Sequence, residues 1–207
     1  MLANHIETEA KYIIPDLSTF NALQEITRLG DFELHPIGIK NITDRYLDTS
    51  EMQLYQAGFA CRIRSVKGQQ ILSLKSLVPA EGKLHRRQEI ELEVDADQPQ
   101  AWTEGKAKDL VVGIVGQAPL QTLFTLSQTR HKFHVYFQER LVIELSLDKV
   151  SLPQAKTIDY LELEAELIEG GTEADLTCFT ETLQRHWPLE ADAQSKFERG
   201  LAYLRKR

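Results

Sequence analysis

Cysteine is nearly absent from this chain. Cys61 and Cys178 are the only two, so neither a disulfide framework nor a cysteine zinc cluster can be built. Glycine and proline are scarce, 11 and 7 among 207 residues, which excludes collagen-like and linker-rich architectures. The N-terminus carries Glu7, Glu9 and Lys11 where a signal peptide needs an apolar run. One uncharged stretch, Leu110 to Thr129, holds Pro119 and several Gln, Thr and Ser, too polar and broken for a membrane span. Positive charge is not in excess either. A formal charge of −7 argues against nucleic-acid or anionic-membrane partners, although it leaves room for a local basic pocket. A cytoplasmic protein with no nucleic-acid or membrane partner is expected.

What is present is a chain long enough to bury roughly 70% of its unfolded surface. Alternating apolar and polar residues predict strands over 4–14, 36–48, 58–66, 69–77, 85–95, 123–137, 141–150 and 158–168. Turn signals separate several of them: Lys67-Gly68, Glu81-Gly82 and Gln138-Glu139. Asp16 reads as a helix N-cap, with Leu17, Phe20, Leu23 and Ile26 on one side and Gly30 as a stop. Further helices are predicted at 173–185 and near 194–205, while 98–122 stays open and Asp109 to Val115 fits helix or strand. The class is α+β, with an antiparallel sheet of about eight strands, more than a flat sheet carries without curling.

The informative signal lies on the polar faces, since residues two apart on a strand point the same way. Glu7, Glu9 and Lys11 share one face, with Ile6 and Tyr12 opposite. Arg62 and Arg64 align, as do Ser73 and Lys75, and then Arg87, Glu89 and Glu91. Glu144, Ser146 and Asp148 form another set, and Glu162, Glu164 and Glu166 the last. A solvated sheet face produces the same alternation. It does not produce sorting by sign, because like charges side by side repel unless an opposite charge lies between them. Clustered carboxylates suit a hard cation such as Mg²⁺ or Mn²⁺. Clustered arginines and lysines suit phosphate. A polyanion bridged by metal to the glutamates and gripped by the basic residues satisfies both. If the sheet closes, this face becomes a lumen and helices must cover the apolar faces outside, the reverse of an apolar-filled barrel.

Glu7-Thr-Glu9-Ala-Lys11 resembles the N-terminal E-x-E-x-K signature of the CYTH superfamily, the triphosphate tunnel metalloenzymes. The similarity continues in order through Asp44-Arg-Tyr46-Leu-Asp48-Thr49, Cys61-Arg62-Ile-Arg64, Leu72-Ser-Leu74-Lys75 and His85-Arg-Arg87-Gln-Glu89-Ile-Glu91. Thr129-Arg130, Ile143-Glu144-Leu-Ser-Leu147-Asp148, Glu162-Leu-Glu164, Ser195-Lys196 and Arg199-Gly200 follow. A lone E-x-E-x-K is weak; the ordered series is specific.

The resemblance implies one CYTH domain over 1–207, built as a closed tunnel of eight antiparallel strands with helices packed outside. It implies metal ligands at Glu7, Glu9, Glu162 and Glu164, assisted by Glu144, for Mg²⁺ or Mn²⁺ in a two-ion site. It implies phosphate contacts at Lys11, Arg62, Arg64, Lys75, Arg87, Arg130 and Lys196, with Arg199 and Glu89 further members of the site and Asp148 a candidate. Glu91 and Glu166 fit satisfied ion pairs equally well. Tyr46 and Asp48 read as structural, and His5, His85 and His131 as packing or surface residues. Gly82-Lys-Leu84-His85 and the Glu162-to-Glu166 strand look most like bacterial inorganic triphosphatases. The C-terminal CHAD domain of some of those is not expected, since the chain stops at Arg207. Gln128 departs from the pattern, standing where many relatives carry a basic residue. The implied activity is hydrolysis of tripolyphosphate. Class IV adenylate cyclase and thiamine triphosphatase are the neighbouring alternatives, and a non-catalytic polyphosphate-binding module is the alternative of another class.

Overall fold

The computed structural model describes residues 4–77, 85–152 and 160–205. The expected turn at Glu81-Gly82, the Gly82–Leu84 segment and positions 158 and 159 lie outside these residues, as does the side chain of His5.

Eight long strands make the barrel: β1 (Asn4–Ile14), β3 (Phe32–Asp48), β4 (Phe59–Val66), β5 (Gln69–Ser76), β6 (His85–Glu93), β7 (Gln121–Phe137), β8 (Arg140–Ser151) and β9 (Tyr160–Leu167). They run in the order β1-β6-β5-β4-β3-β7-β8-β9, every pairing antiparallel, and β9 pairs back onto β1. The closed eight-stranded barrel expected from the sequence is therefore the fold. Two-residue strands, β2 (Arg28–Leu29) and β10 (Glu190–Ala191), attach to β3 and β1. Two hairpins close through two-residue turns with positive φ at both positions, Lys67-Gly68 and Gln138-Glu139, the backbone twist that matches paired strands.

The apolar faces point outward and the helices cover them. Phe20 and Leu23 of α1 (Leu17–Gln24) join Leu176, Phe179 and Leu183 of α4 (Glu173–His186) over the outer faces of β1, β8 and β9. On the other side Ala107, Val111 and Val115 of α3 (Lys106–Val115) pack on Cys61, Ile63, Leu72 and Leu74, with Leu54 of α2 (Gln53–Gln56) beside them. Each fully buried large aliphatic side chain contributes about 1.5–3 kcal/mol. Asp16 caps α1 by accepting from the Thr19 amide at 2.7 Å, and Thr172 with Asp175 forms a capping box on α4.

Two boundaries differ from expectation. The first helix ends at Gln24 rather than near Gly30, because Arg28 and Leu29 turn at Gly30 and pair with Glu33 and Phe32. Strand β3 starts at Phe32 rather than 36, since the chain absorbs Pro36 in a register shift between Pro36 and Gly38 and continues pairing with β7. The open segment 109–115 is helical, its apolar residues at i and i+4 facing the barrel between Gly105 and Gly116.

The last helix, α5 (Lys196–Arg205), does more than cover the outside. Its Phe197 stacks on Tyr46 and Phe124, with centroids 5.5 and 6.0 Å away, and these rings sit with Ala60 and Leu126 on the inward faces of the strands. An apolar plug therefore closes one end of the lumen. Gly200 allows the approach: a Cβ there would lie 2.2 Å from the Phe124 ring.

Candidate active site

The inward faces surround a cavity of about 350 Å³, lined by eight cationic side chains and seven carboxylates. Of the residues singled out in the sequence, Glu7, Glu9, Lys11, Arg62, Arg64, Lys75, Arg87, Glu89, Arg130, Glu144, Glu164 and Lys196 all line it. The barrel register brings them together: Glu7 stands opposite Arg87, Lys75 opposite Glu89, Lys11 opposite Glu164. Two predicted members do not reach the cavity. Glu162 is fully buried just behind its wall. Arg199 points away, bonded to Asp192 at 2.6 Å with its guanidinium 4.9 Å from the centre of the Tyr160 ring.

The acidic corner is formed by Asp148, Glu162 and Glu164, each offering an oxygen within 4.8 Å of the others. Lys196 Nζ touches all three, bonding Glu162, Glu164 at 2.8 Å and Asp148 at 3.1 Å. Arg130 forms a fork on Asp148 and also bonds Glu164, while Lys11 Nζ stays 3.9 and 4.0 Å from Glu162 and Glu164. Burial pushes the Glu162 carboxyl up to about 7, against the pull of Lys11 and Lys196. Burial opposes ionisation of Glu164 too, but Lys196 and Arg130 outweigh it and hold that carboxyl well below the usual range.

Along β1 the environment changes within one strand step. Glu7 accepts from Lys75 Nζ at 2.7 Å through both oxygens, and Lys75 lies 3.4 Å from Glu89. Glu9 makes no ion pair among the described residues, stands opposite Glu166 on β9, and is only 5% exposed. Burial, then the charges of Glu7 and Glu164, push it up to about 8. Among the described residues Glu166 makes no ion pair either; burial and Glu7 push it up to about 7. Glu91, the other residue for which an ion pair was considered, lines the cavity, and burial together with Glu89 raises its pKa.

The arginine wall is fixed by Asp44, which is fully buried. It takes a fork from Arg64 at 2.8 and 2.9 Å, a bond from Gln128 at 2.7 Å, and lies 3.6 Å from Arg62. Gln128 thus positions Asp44 through its amide. Burial opposes the Asp44 charge, yet Arg64 and Arg62 outweigh it and hold the carboxyl far below the usual range. His85 accepts from Arg87 at Nδ1 (2.9 Å), so its Nε2–H faces the Asp192 carbonyl at 2.9 Å. Burial and Arg87 lower its pKa, which keeps it a neutral packing residue. His131 likewise packs, edge-on to Phe20. Asp48 serves structure: it accepts the backbone amides of Thr49, Leu54 and Tyr55 at the start of α2.

Sequence reasoning overlooked Lys132, which lines the cavity and pairs with Glu144. The period-two rule could have found it, two residues beyond Arg130. Phe197, which lies on a helix and carries no strand-like signal, was overlooked as well.

A hard divalent cation fits the acidic corner. The donors are all oxygen, their separation suits one ion, and Glu162 Oε2 is buried without a hydrogen-bond partner. The opposite wall leaves Arg62 Nε and Arg87 Nε buried and unpartnered, as groups awaiting an anion would be.

The CYTH domain profile matches residues 5–201. The chain belongs to the CYTH family. Solved structures with the CYTH architecture include an adenylyl cyclase candidate from Hippeastrum, described as revealing a dominant triphosphatase activity (TM-score 0.75, 20% identity, 95% of each chain covered). An adenylate cyclase candidate from Bacillus halodurans superposes with TM-score 0.67 at 23% identity, covering 95% of this chain and 97% of that one. A protein of Pyrococcus horikoshii superposes with TM-score 0.60 at 20% identity, covering 97% and 99%. The comparison with curated proteins finds no match. No helix among the described residues is long and apolar enough to cross a membrane.

Proposed function

We propose that this CYTH protein hydrolyses a triphosphate in a divalent-ion-dependent reaction, with inorganic tripolyphosphate yielding pyrophosphate and phosphate. The observation that carries this reading is the two-signed lumen: carboxylates, with the oxygen-only Asp148–Glu162–Glu164 corner reaching it through Glu164, face arginines and lysines across one cavity. A triphosphate brings several negative charges to a lumen that is nearly neutral by itself, so it needs both the basic wall and cations of its own.

Glu7, Glu9, Glu162 and Glu164 would hold Mg²⁺ or Mn²⁺, with Asp148 completing the corner and Glu144 nearer Lys132. When bound, such an ion neutralises phosphate charge and lowers the pKa of a coordinated water. Lys11, Arg62, Arg64, Lys75, Arg87 and Arg130 would grip the phosphate oxygens, and their fixed positions favour the charge that spreads over the equatorial oxygens of a loose transition state. Asp44 keeps Arg62 and Arg64 aimed before substrate arrives. The plug of Phe197, Tyr46 and Phe124 closes one end, so substrate enters from the other.

Hydrolysis rather than cyclisation is supported by the dominant triphosphatase activity described for the Hippeastrum relative. Side-by-side assays of tripolyphosphate, ATP and thiamine triphosphate, reading phosphate and cyclic AMP, test the proposal. Tripolyphosphate should turn over fastest with no cyclic AMP from ATP. Cyclic AMP as the main ATP product would make the protein a cyclase, and tight binding without turnover at any divalent ion would make it a binding module.

A further inference from the structure

Lys196 occupies an unusual place for a lysine. It is the first residue of α5, 5% exposed, behind a Ser195–Glu198 capping box in which Ser195 Oγ donates to Glu198 at 2.7 Å. A cation at a helix N-terminus opposes the helix dipole, so the helix gains nothing from it there. Its counter-charge comes entirely from across the lumen. Nζ contacts Asp148, Glu162 and Glu164 together, the same three carboxylates whose oxygens are spaced for one ion.

An ammonium and a metal ion cannot share that seat. Mg²⁺ requires its oxygens at about 2.0–2.1 Å, and Nζ already lies within hydrogen-bonding distance of all three acceptors. Two cations there would repel at close range with little solvent between them. Lysine is suited to moving aside, since its flexible stem can re-aim the charge while the backbone stays anchored. That anchor is firm: Phe197 is held in the ring stack and Gly200 against Phe124. A displaced ammonium still needs an anion, and two of the lumen's other carboxylates are already engaged, Glu7 by Lys75 and Glu144 by Lys132. Phosphate oxygens are the anion that arrives with the metal.

We propose that Lys196 is an exchangeable counter-ion: a divalent cation displaces its ammonium from Asp148, Glu162 and Glu164, and the triphosphate then takes that ammonium up. The inference rests on reading the lumen as a metal–triphosphate site. Its consequence is that cation and triphosphate each tighten the other's binding, so the protein selects the preformed metal–triphosphate complex over either component.

Calorimetric titration of Mn²⁺ into the full-length protein tests this, with and without a non-hydrolysable methylene-bridged tripolyphosphate. Lys196→Met should bind Mn²⁺ alone at least about tenfold more tightly than the unsubstituted protein, and should lose most of the extra tightening that the analogue confers. Lys132→Met, which removes a lumen lysine outside the acidic corner, should keep that tightening. Equal or weaker Mn²⁺ affinity in Lys196→Met, or undiminished coupling, overturns the inference while leaving the metal site standing. Absence of Mn²⁺ binding in every version overturns the metal reading itself. Nitrogen-15 NMR of the Lys196 ammonium in the unsubstituted protein gives a second measurement that needs no variant. Mg²⁺ alone should shift that resonance and the analogue should shift it again; a resonance that Mg²⁺ leaves unmoved contradicts the exchangeable role.

Discussion

Glu9→Gln should lower divalent-ion-dependent phosphate release by roughly 10²-fold or more, and at the same time stabilise the metal-free protein near pH 8. Both effects have one cause. Glu9 is buried among Glu7, Glu164 and Glu166 with no ion pair among the described residues, and its carboxyl is pushed up to about 8 from 4.5. The unfolded chain gives up this proton near pH 4.5, whereas the folded protein keeps it until about pH 8. Folding is therefore favoured most at low pH, and stability drains away as pH rises from about 5 through about 8. At about 1.4 kcal/mol per pKa unit the stake is up to ~5 kcal/mol. Glutamine cannot ionise, so the variant escapes the loss but cannot bind a cation as glutamate does. Calorimetric unfolding in chelator should show a pH slope in the unsubstituted protein that is reduced in Glu9→Gln. A variant less stable than the parent at pH 8, or one retaining full turnover, would contradict this assignment.

Asp44→Asn should be the most destabilising single change in the arginine wall. It leaves the shape nearly unchanged but strips the buried counter-charge from Arg64 and Arg62, and breaking a buried pair in this way costs about 3–5 kcal/mol. The depressed carboxyl has the opposite pH sense to Glu9: its contribution is present above the unfolded pKa near 3.8 and is lost as pH falls through the still lower folded value. Saturating tripolyphosphate should recover much of the lost stability, since its oxygens supply the missing negative charge. Thermal unfolding with and without tripolyphosphate measures both effects. A penalty under about 1 kcal/mol, or one that tripolyphosphate leaves untouched, would show that Asp44 does not organise the phosphate-gripping arginines.

The barrel and most of its lumen were legible because a strand's period of two makes each inward residue visible two positions from the last. Glu7, Glu9 and Lys11, or Arg62 and Arg64, needed no structure to be grouped. What the alternation could not carry was partnership across strands. The same face held Asp44, yet only the register of β3 with β4 and β7 reveals that it fixes two arginines and Gln128. The resemblance placed Arg199 with Lys196 as a further member of the site. The helix directs Lys196 into the lumen and Arg199 toward Asp192, a difference set by how Phe197 and Gly200 seat α5 on Phe124. The early end of α1 was hidden for a similar reason: pairing of Arg28 and Leu29 with β3 overrides a helical apolar pattern that would otherwise run on to Ile26.

Phosphorus NMR of tripolyphosphate incubated with the protein tests the central claim most directly, because it resolves substrate and both products in one spectrum. With Mg²⁺ present, the tripolyphosphate signals should decay while pyrophosphate and phosphate grow in equal molar amounts, and chelator should halt the change. Persistence of tripolyphosphate under those conditions, or cleavage that proceeds unchanged in chelator, would contradict a metal-dependent triphosphatase.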